Sequence, residues 1–341
     1  MVNMMDYKNT KYLLNQRPIG MPDNDCWVLD YENITSISSN EIIIQNEYLS
    51  IDPYMRGRMN DGVSYASAVN IGDVMVGETV GTVVESKSDL YKVGDKVCAH
   101  CGWQTFTKAK DTNPALIKVP NNNLTLSSFL GALGMPGRTA YFGLKNVGQP
   151  KKGETLVVSA ASGAVGSIVG QLGKISGCHV IGIAGGPEKC AFVKNDLKFD
   201  DCIDYKSDSF AKDLKDSCRN GIDVYFENVG GEVTKEIAKL LNPKSRVPIC
   251  GYISKYNEKD LLNTETPFHV FGSMNPKPSH RFFVVTEWAN QWESATKELL
   301  DLVNENKIFY RETITDGFEN APQALRDVLS GKNFGKQIVK I

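Results

Sequence analysis

The chain of 341 residues contains no apolar run of the roughly 18 residues that a membrane-spanning helix requires. It has no excess of either charge: 38 Lys and Arg stand against 40 Asp and Glu, a formal −2, which argues against a nucleic-acid binder with its basic face. Histidine is scarce. His100, His179, His269 and His280 match no triad or metal spacing and are expected in packing or solvent. No disulfide framework is visible: Cys26, Cys98, Cys101, Cys178, Cys190, Cys202, Cys218 and Cys250 are scattered in mostly apolar settings and read as reduced thiols. Cys98-Ala-His-Cys101 is one CxxC without the further ligands a zinc or redox site needs. The opening MVNMMDYKNTKYLL lacks the apolar region of a signal peptide, so the cytoplasm is the expected location. The sequons at Asn33 and Asn123 carry no weight there. No internal repeat or low-complexity segment is evident.

What is present fits a globular protein of about two domains. Hydrophobic residues make up 41% and charged residues 23%, enough apolar material for a large core. The organising stretch is Leu156–Gly166, LVVSAASGAVG. Leu156, Val157 and Val158 suit a strand buried on both faces. Ala161, Gly163 and Gly166 follow with the spacing of a GxGxxG turn, alanine standing first. Ala164–Ser176 is then helical in period, with Val165, Ile168, Val169 and Leu172 on one face. Small side chains let a pyrophosphate approach the backbone, and the helix N-terminus offers N–H groups and partial positive charge. Gly166 would let helix and strand pack closely.

The second strand, His179–Ala184, indicates which nucleotide. A site for NAD would carry Asp or Glu near that strand end to bind the ribose diol. Here Gly185 and Gly186 stand there, followed by Pro187, Glu188 and Lys189. A missing carboxylate and a lysine on the next helix favour a 2′-phosphate, hence NADPH.

From Trp27 to about Leu126 the texture is β, with EIIIQNEYL, GETVGTVVES and the VGDKV turn, and a barrel or sandwich is expected. Asn121–Thr125 reads as a hinge and Leu126–Asn146 as helix, broken near Met135-Pro136-Gly137. From Glu154 strands and helices alternate. Strands are expected at Thr155–Ala160, His179–Ala184, Cys202–Tyr205, Asp223–Asn228 and Arg246–Cys250. Helices are expected near Ala164–Ser176, Pro187–Leu197, Phe210–Cys218 and Glu232–Leu241, giving a doubly wound parallel sheet. Gln291–Asn306 is a further amphipathic helix, and Ile308–Thr315 and Lys336–Ile341 read as strands returning to the β domain. Ligands of such sheets bind beyond the carboxyl ends of the strands, so the crevice between domains is the expected active site.

The chain resembles the medium-chain dehydrogenase/reductases, and within them the zinc-independent branch of leukotriene dehydrogenases, prostaglandin reductases and alkenal double-bond reductases. The matching stretches are IDPYMRGRM (Ile51–Met59), GDVMVGETVGTVVES (Gly72–Ser86), GDKV (Gly94–Val97) with GW (Gly102–Trp103), and LGMPGRTAYFGL (Leu133–Leu144). AASGAVGSIVGQLGK (Ala160–Lys174), YFENVGG (Tyr225–Gly231), CGYISKYN (Cys250–Asn257) and NFGKQIV (Asn333–Val339) complete them, in order, over nearly the whole chain. The resemblance implies an α/β fold, a Rossmann doubly wound parallel sheet inserted in a GroES-like β-barrel catalytic domain. Residues 1–126 plus 311–341 would form the substrate domain and 127–310 the NADP-binding domain. A homodimer is expected, since the family is commonly dimeric. The superfamily's zinc enzymes carry Gly-His-Glu where this chain has Val76-Gly77-Glu78, and a cysteine ligand near Asp52-Pro53-Tyr54. Their four-cysteine structural lobe is reduced here to Cys98 and Cys101. Catalytic zinc needs three protein ligands, so no metal is expected.

By the same resemblance Lys189 and Tyr205 grip the 2′-phosphate, and Ala161, Gly163, Ala164, Val165 and Gly166 form the elbow under the pyrophosphate, with Gly186 beyond the second strand. Asn228 after the fourth strand, Met135, and Gly251, Tyr252, Ser254 and Tyr256 of CGYISKYN face the cofactor, with Asn333 near its nicotinamide half. Tyr256 is the expected catalytic residue, and Tyr54 and Tyr65 are candidates for the pocket wall. The expected reaction is hydride transfer from NADPH to the β-carbon of an enal or enone, followed by protonation of the enolate by water or through Tyr256. A phenol or ribose hydroxyl would stabilise the developing oxyanion. Two alternatives stay open: an NADPH quinone reductase of the same superfamily, and a non-catalytic NADPH-binding sensor or structural partner. Met59–Asn70 and Asn257–Pro278 are the stretches whose contribution to the pocket is least legible.

Overall fold

The computed structural model describes residues 6–62, 64–260 and 263–341. The start of the N-terminal segment, Met1–Met5, and parts of the two least legible stretches (Val63, Leu261 and Leu262) lie outside the described residues. The chain divides into two compact units. The first comprises Met1–Leu130, Thr313–Lys332 and Gln337–Ile341, and the second Gly131–Glu312 with Asn333–Lys336.

The first unit opens with β1 (Tyr7–Leu14) and β2 (Trp27–Ile34), an antiparallel pair in which Tyr7 faces Ile34 and Leu14 faces Trp27. β3 (Glu41–Ser50), the short helix α1 (Tyr54–Arg58), β4 (Thr79–Ser86), β5 (Lys96–Ala99), β6 (Phe106–Lys110) and β7 (Ile117–Lys118) follow. β3 is central, pairing antiparallel with both β4 and β6. Ile42, Ile43 and Ile44 are buried on both its faces, each burial being worth about 1.5–3 kcal/mol. Gly81 is needed in β4 because a Cβ there would fall 2.1 Å from the Gln45 carbonyl, next to the register shift between Asn46 and Tyr48.

In the second unit α2 (Met135–Phe142) leads to β8 (Thr155–Ser159), α3 (Gly166–Ile175), β9 (His179–Ala184), α4 (Pro187–Asn195), β10 (Asp201–Asp204) and α5 (Phe210–Ser217). β11 (Ile222–Phe226), α6 (Gly231–Ala238), β12 (Leu241–Ile249), α7 (Pro267–Gly272), β13 (Ser279–Phe282) and α8 (Trp292–Asn304) complete it. The six strands are ordered β10-β9-β8-β11-β12-β13 and pair in parallel, a doubly wound sheet whose order reverses between β8 and β11. Every residue of β8 is buried, as expected of a strand covered on both faces. The sheet's core includes Val157, Ile181, Tyr225, Val247 and Phe271.

The chain then returns to the first unit's sheet through β14 (Glu312–Asp316), α9 (Ala321–Leu329) and β15 (Lys336–Lys340), giving the order β14-β15-β3-β4-β5-β7.

Several expectations need correction. Leu126–Asn146 is not one helix but a 3₁₀ turn (Leu126–Leu130), then α2, then a π-helical turn (Gly143–Gly148). Gly143 sits against Phe283 and Phe226, where a Cβ would lie 2.3 and 2.9 Å from their rings. The strand expected from Ile308 begins only at Glu312. Gln171 explains this, since its side-chain amide accepts from Phe309 N–H at 2.7 Å and donates to Phe309 O at 2.8 Å, spending the groups a ladder would use. The expectation that β texture begins at Trp27 misses β1, and β13 and α9 have no counterpart among the expected elements. Among the described residues no helix is long and apolar enough to cross a membrane.

Candidate active site

The elbow after β8 is built around one carbonyl. Ala160 adopts φ 51°, a left-handed conformation uncommon outside glycine. Its oxygen accepts from Gly163 N–H at 2.9 Å. A Cβ at Gly163 would lie 3.1 Å from that oxygen, and one at Gly166 only 2.3 Å. Both glycines thus answer to the same atom. Ala161 N–H bonds to Ile183 O at 3.0 Å, tying the turn to β9, and Gly335 N–H bonds to Ser162 O at 3.0 Å. Among the described residues no protein acceptor meets the amides of Ala164, Val165 and Gly166. Three clustered N–H donors at the start of α3 suit an anion.

At the ends of β9 and β10 the arrangement is cationic. A Cβ at Gly185 would lie 2.8 Å from Tyr205 Cε1 and 3.0 Å from both its hydroxyl and Lys206 Cε. Gly185 therefore lets Tyr205 and Lys206 close over the strand end. Gly186, at φ 94°, has open space where a Cβ would point. Its amide donates to Asp204 Oδ1 at 2.8 Å, and the Lys206 amide to the same oxygen at 2.9 Å, so that oxygen is engaged by the backbone. Asp204 is a residue the sequence did not single out. Lys189 is half-buried on α4 and donates to Asn333 O at 2.6 Å. Burial first, then the Lys206 charge, pull its ammonium below the ordinary lysine value. Two cations facing each other would be relieved by a dianion. A dinucleotide bearing a 2′-phosphate fits these donors: the Ala164–Gly166 amides for its pyrophosphate, and Lys189 and Tyr205 for the phosphate.

Asn333, expected near the nicotinamide half, is placed beside Lys189, with its side-chain amide donating to Gly335 O at 2.8 Å. Asn228 lies two residues past β11. Its N–H donates to Ser159 Oγ at 2.9 Å, its Nδ2 to Ser159 O at 2.8 Å, and its carbonyl accepts from Ile253 N–H at 3.2 Å. That last bond brings the Gly251–Tyr256 segment alongside. Gly230 and Gly231, at φ 78° and 67°, leave room for Tyr252 Cβ and Ser254 Oγ. The Tyr256 hydroxyl accepts from Tyr252 N–H at 3.4 Å, and a Cβ at Gly251 would fall 2.6 Å from it. Met135 opens α2, its carbonyl accepting from Thr139 Oγ1 at 2.7 Å.

In the first unit, Tyr54 opens α1 next to buried Asp52, which accepts from Ser50 Oγ. Burial, followed by the charges of Asp52 and Glu78, raises the Tyr54 hydroxyl well above the ordinary tyrosine value, so it stays protonated and able to donate. Arg56 is buried and holds Gly20 O through Nη2 at 2.9 Å and Nε at 3.1 Å. Tyr65 is 57% exposed. Gly77 is enclosed by apolar side chains: a Cβ there would meet Leu49 at 2.9 Å, Trp103 at 3.0 Å and Met55 at 3.2 Å. No histidine fits that position without displacing them. Prolonged chelator treatment followed by desalting is therefore expected to leave turnover unchanged. Activity lost with the metal and restored by zinc would contradict this.

The comparisons with known proteins agree with this architecture. Residues 10–118 match the family model described as the N-terminal domain of oxidoreductase, and residues 164–298 the one described as zinc-binding dehydrogenase. The NADPH-dependent curcumin reductase of Escherichia coli (strain K12) is 43% identical over 98% of this chain and 97% of its own length. Prostaglandin reductase 1 of Bos taurus is 39% identical, covering 96% of this chain and 98% of its own. The NADP(+)-dependent 2-alkenal reductase of Nicotiana tabacum is 38% identical, covering 89% and 88%. The crystal structure of CurA in complex with NADPH from Vibrio vulnificus superposes with a TM-score of 0.91 at 42% identity, over 97% of this chain and 98% of that one. The chain is an oxidoreductase that belongs to the medium-chain dehydrogenase/reductase superfamily, in the zinc-independent branch that holds the prostaglandin and alkenal reductases.

Proposed function

We propose that this chain reduces the carbon–carbon double bond of α,β-unsaturated aldehydes and ketones, as a reductase of the 2-alkenal or 15-oxoprostaglandin type. NADP(H) is its cofactor. The observation that carries the reading is the second unit's grouping of three amides that meet no protein acceptor among the described residues, a β9 end that carries Gly185 and Gly186 in place of an acid, and Lys189 with Lys206. The kinship with curcumin, prostaglandin and 2-alkenal reductases supports the substrate class.

When bound, NADPH supplies the hydride; the protein supplies position and electrostatics. Ala164, Val165 and Gly166 would hold its pyrophosphate, and Lys189 and Tyr205 its 2′-phosphate. As the substrate's β-carbon is reduced, charge builds on its carbonyl oxygen. Tyr256 donates a hydrogen bond to that oxygen, since a phenol is a hydrogen-bond donor at neutral pH. The α-carbon takes its proton from water or through Tyr256.

The test is a panel of 2-alkenals, enones, their saturated analogues, quinones and alcohols, each with NADPH and NADH. Oxidation of NADPH by enals and enones, with none by the saturated analogues, is expected. Faster turnover of quinones, or tight NADPH binding without oxidation by any acceptor, would defeat the proposal. Tyr256→Phe is expected to lower kcat on the order of 10²-fold, the usual cost of an oxyanion donor, with little change in the KM for NADPH. An unchanged kcat would remove Tyr256 from the chemistry.

A further inference from the structure

Glu227 lies one residue beyond β11 with none of its surface exposed. Its Oε1 accepts from Val229 N–H at 2.8 Å, Tyr225 OH at 2.9 Å and Gly230 N–H at 3.0 Å, and Oε2 accepts from Thr234 Oγ1; the Ser159 hydroxyl is shared between Oε1 and Phe226 O, at 3.3 Å from each. Its backbone carbonyl takes the amides of Cys250 at 2.9 Å and Gly251 at 3.2 Å. Burial raises its pKa in spite of these donors. Removing a carboxylate from water is costly, and a packed apolar residue often stabilises a core as well or better. The bonds therefore need a reason beyond packing.

That reason is the orientation of Asn228. Ser159 takes both nitrogens of Asn228, the main-chain N–H on its hydroxyl and Nδ2 on its carbonyl. A carbonyl oxygen only accepts, so the side-chain amide cannot be flipped. Among the described residues no donor meets Asn228 Oδ1. The loop thus presents one fixed acceptor, which suits a hydroxyl and repels a phosphate. Its place follows from the strand order: Lys189 and Tyr205 stand at β9 and β10, the elbow at β8, and Asn228 after β11. A donor that reaches Asn228 would then belong to the half of the dinucleotide away from the 2′-phosphate.

We infer that Glu227, acting through Ser159 and the Val229–Gly230 amides, is the positioning residue that fixes the Asn228 carbonyl oxygen for the nicotinamide ribose. This rests on the NADP(H) reading above.

The experiment compares dissociation constants of two probes, NADP⁺ and 2′,5′-ADP, the second lacking the nicotinamide half. Three variants are measured. Glu227→Leu removes every side-chain acceptor, Glu227→Gln keeps one oxygen for the two amides, and Ser159→Ala removes one hydroxyl with the least risk to folding. For Glu227→Leu, NADP⁺ is expected to bind about tenfold more weakly while 2′,5′-ADP stays within about twofold. Ser159→Ala is expected to show the same split at about three- to fivefold, and Glu227→Gln to recover most of the loss. Equal weakening of both probes, or of neither, in Ser159→Ala overturns the inference and leaves the cofactor reading standing. A wild-type chain that binds neither probe overturns both.

Discussion

Lys189→Ala is expected to lower kcat/KM for NADPH by about 10- to 10²-fold, the worth of one charge-assisted hydrogen bond of about 1.5–3 kcal/mol, and to leave NADH turnover nearly unchanged. The lysine is half-buried beside Lys206, which by itself disfavours its charge. A dianionic 2′-phosphate repays that repulsion and a ribose hydroxyl does not. The competing possibility is structural, because the ammonium also holds Asn333 O and with it the segment that bonds to Ser162. Loss of that strut would weaken both cofactors alike. Steady-state kinetics with the two nicotinamides therefore separate the roles, and equal losses would refute the phosphate assignment.

Gly166→Ala is expected to damage stability and cofactor binding together. The added Cβ would stand 2.3 Å from Ala160 O, 2.9 Å from Ala160 C and 3.1 Å from Ala161 Cα. All three are backbone atoms, and the carbonyl is already held by Gly163 N–H. Alanine gains about 1 kcal/mol of helix propensity, but overpacking of this kind costs about 1–3 kcal/mol, so the net sign is destabilising. Moving the Ala160 carbonyl also turns the amides of Ala164 and Val165 away from the pyrophosphate. Thermal unfolding should therefore show a lower Tm, and titration an NADPH affinity reduced by about tenfold or more. A variant with wild-type Tm and affinity would remove the Ala160 carbonyl from its place at the centre of the elbow.

Much of the nucleotide unit is legible locally. Leu156–Val158 reads as a buried strand and folds as one. The expected parallel strands all form: four start within one residue of the expected position, and β12 starts five residues before Arg246, its first part being polar. β13, SHRF, is half exposed, and its place is given by pairing with β12. Ile308–Phe309 reads as strand by composition, but Gln171, 138 positions earlier, takes both backbone bonds of Phe309, and Ile308 N–H bonds to Leu302 O.

The candidate site divides in the same way. Glycine spacing announces the elbow, and the missing acid after Ala184 announces the phosphate, because both are properties of a few adjacent residues. Glu227 announces nothing: in FENVGG it is one polar residue within the expected strand Asp223–Asn228. Only the approach of β8, α6 and the Cys250–Gly251 turn makes it a buried junction.

The sequence by itself determined the alternation of elements, the small-residue turn and the absence of a histidine at position 77, since each is written in neighbouring residues. Tertiary structure decided which atom those glycines accommodate, where Asn333 lies and what a buried glutamate is for. Those depend on groups far apart in the chain, whose meeting is set by how strands and helices pack and not by local propensity.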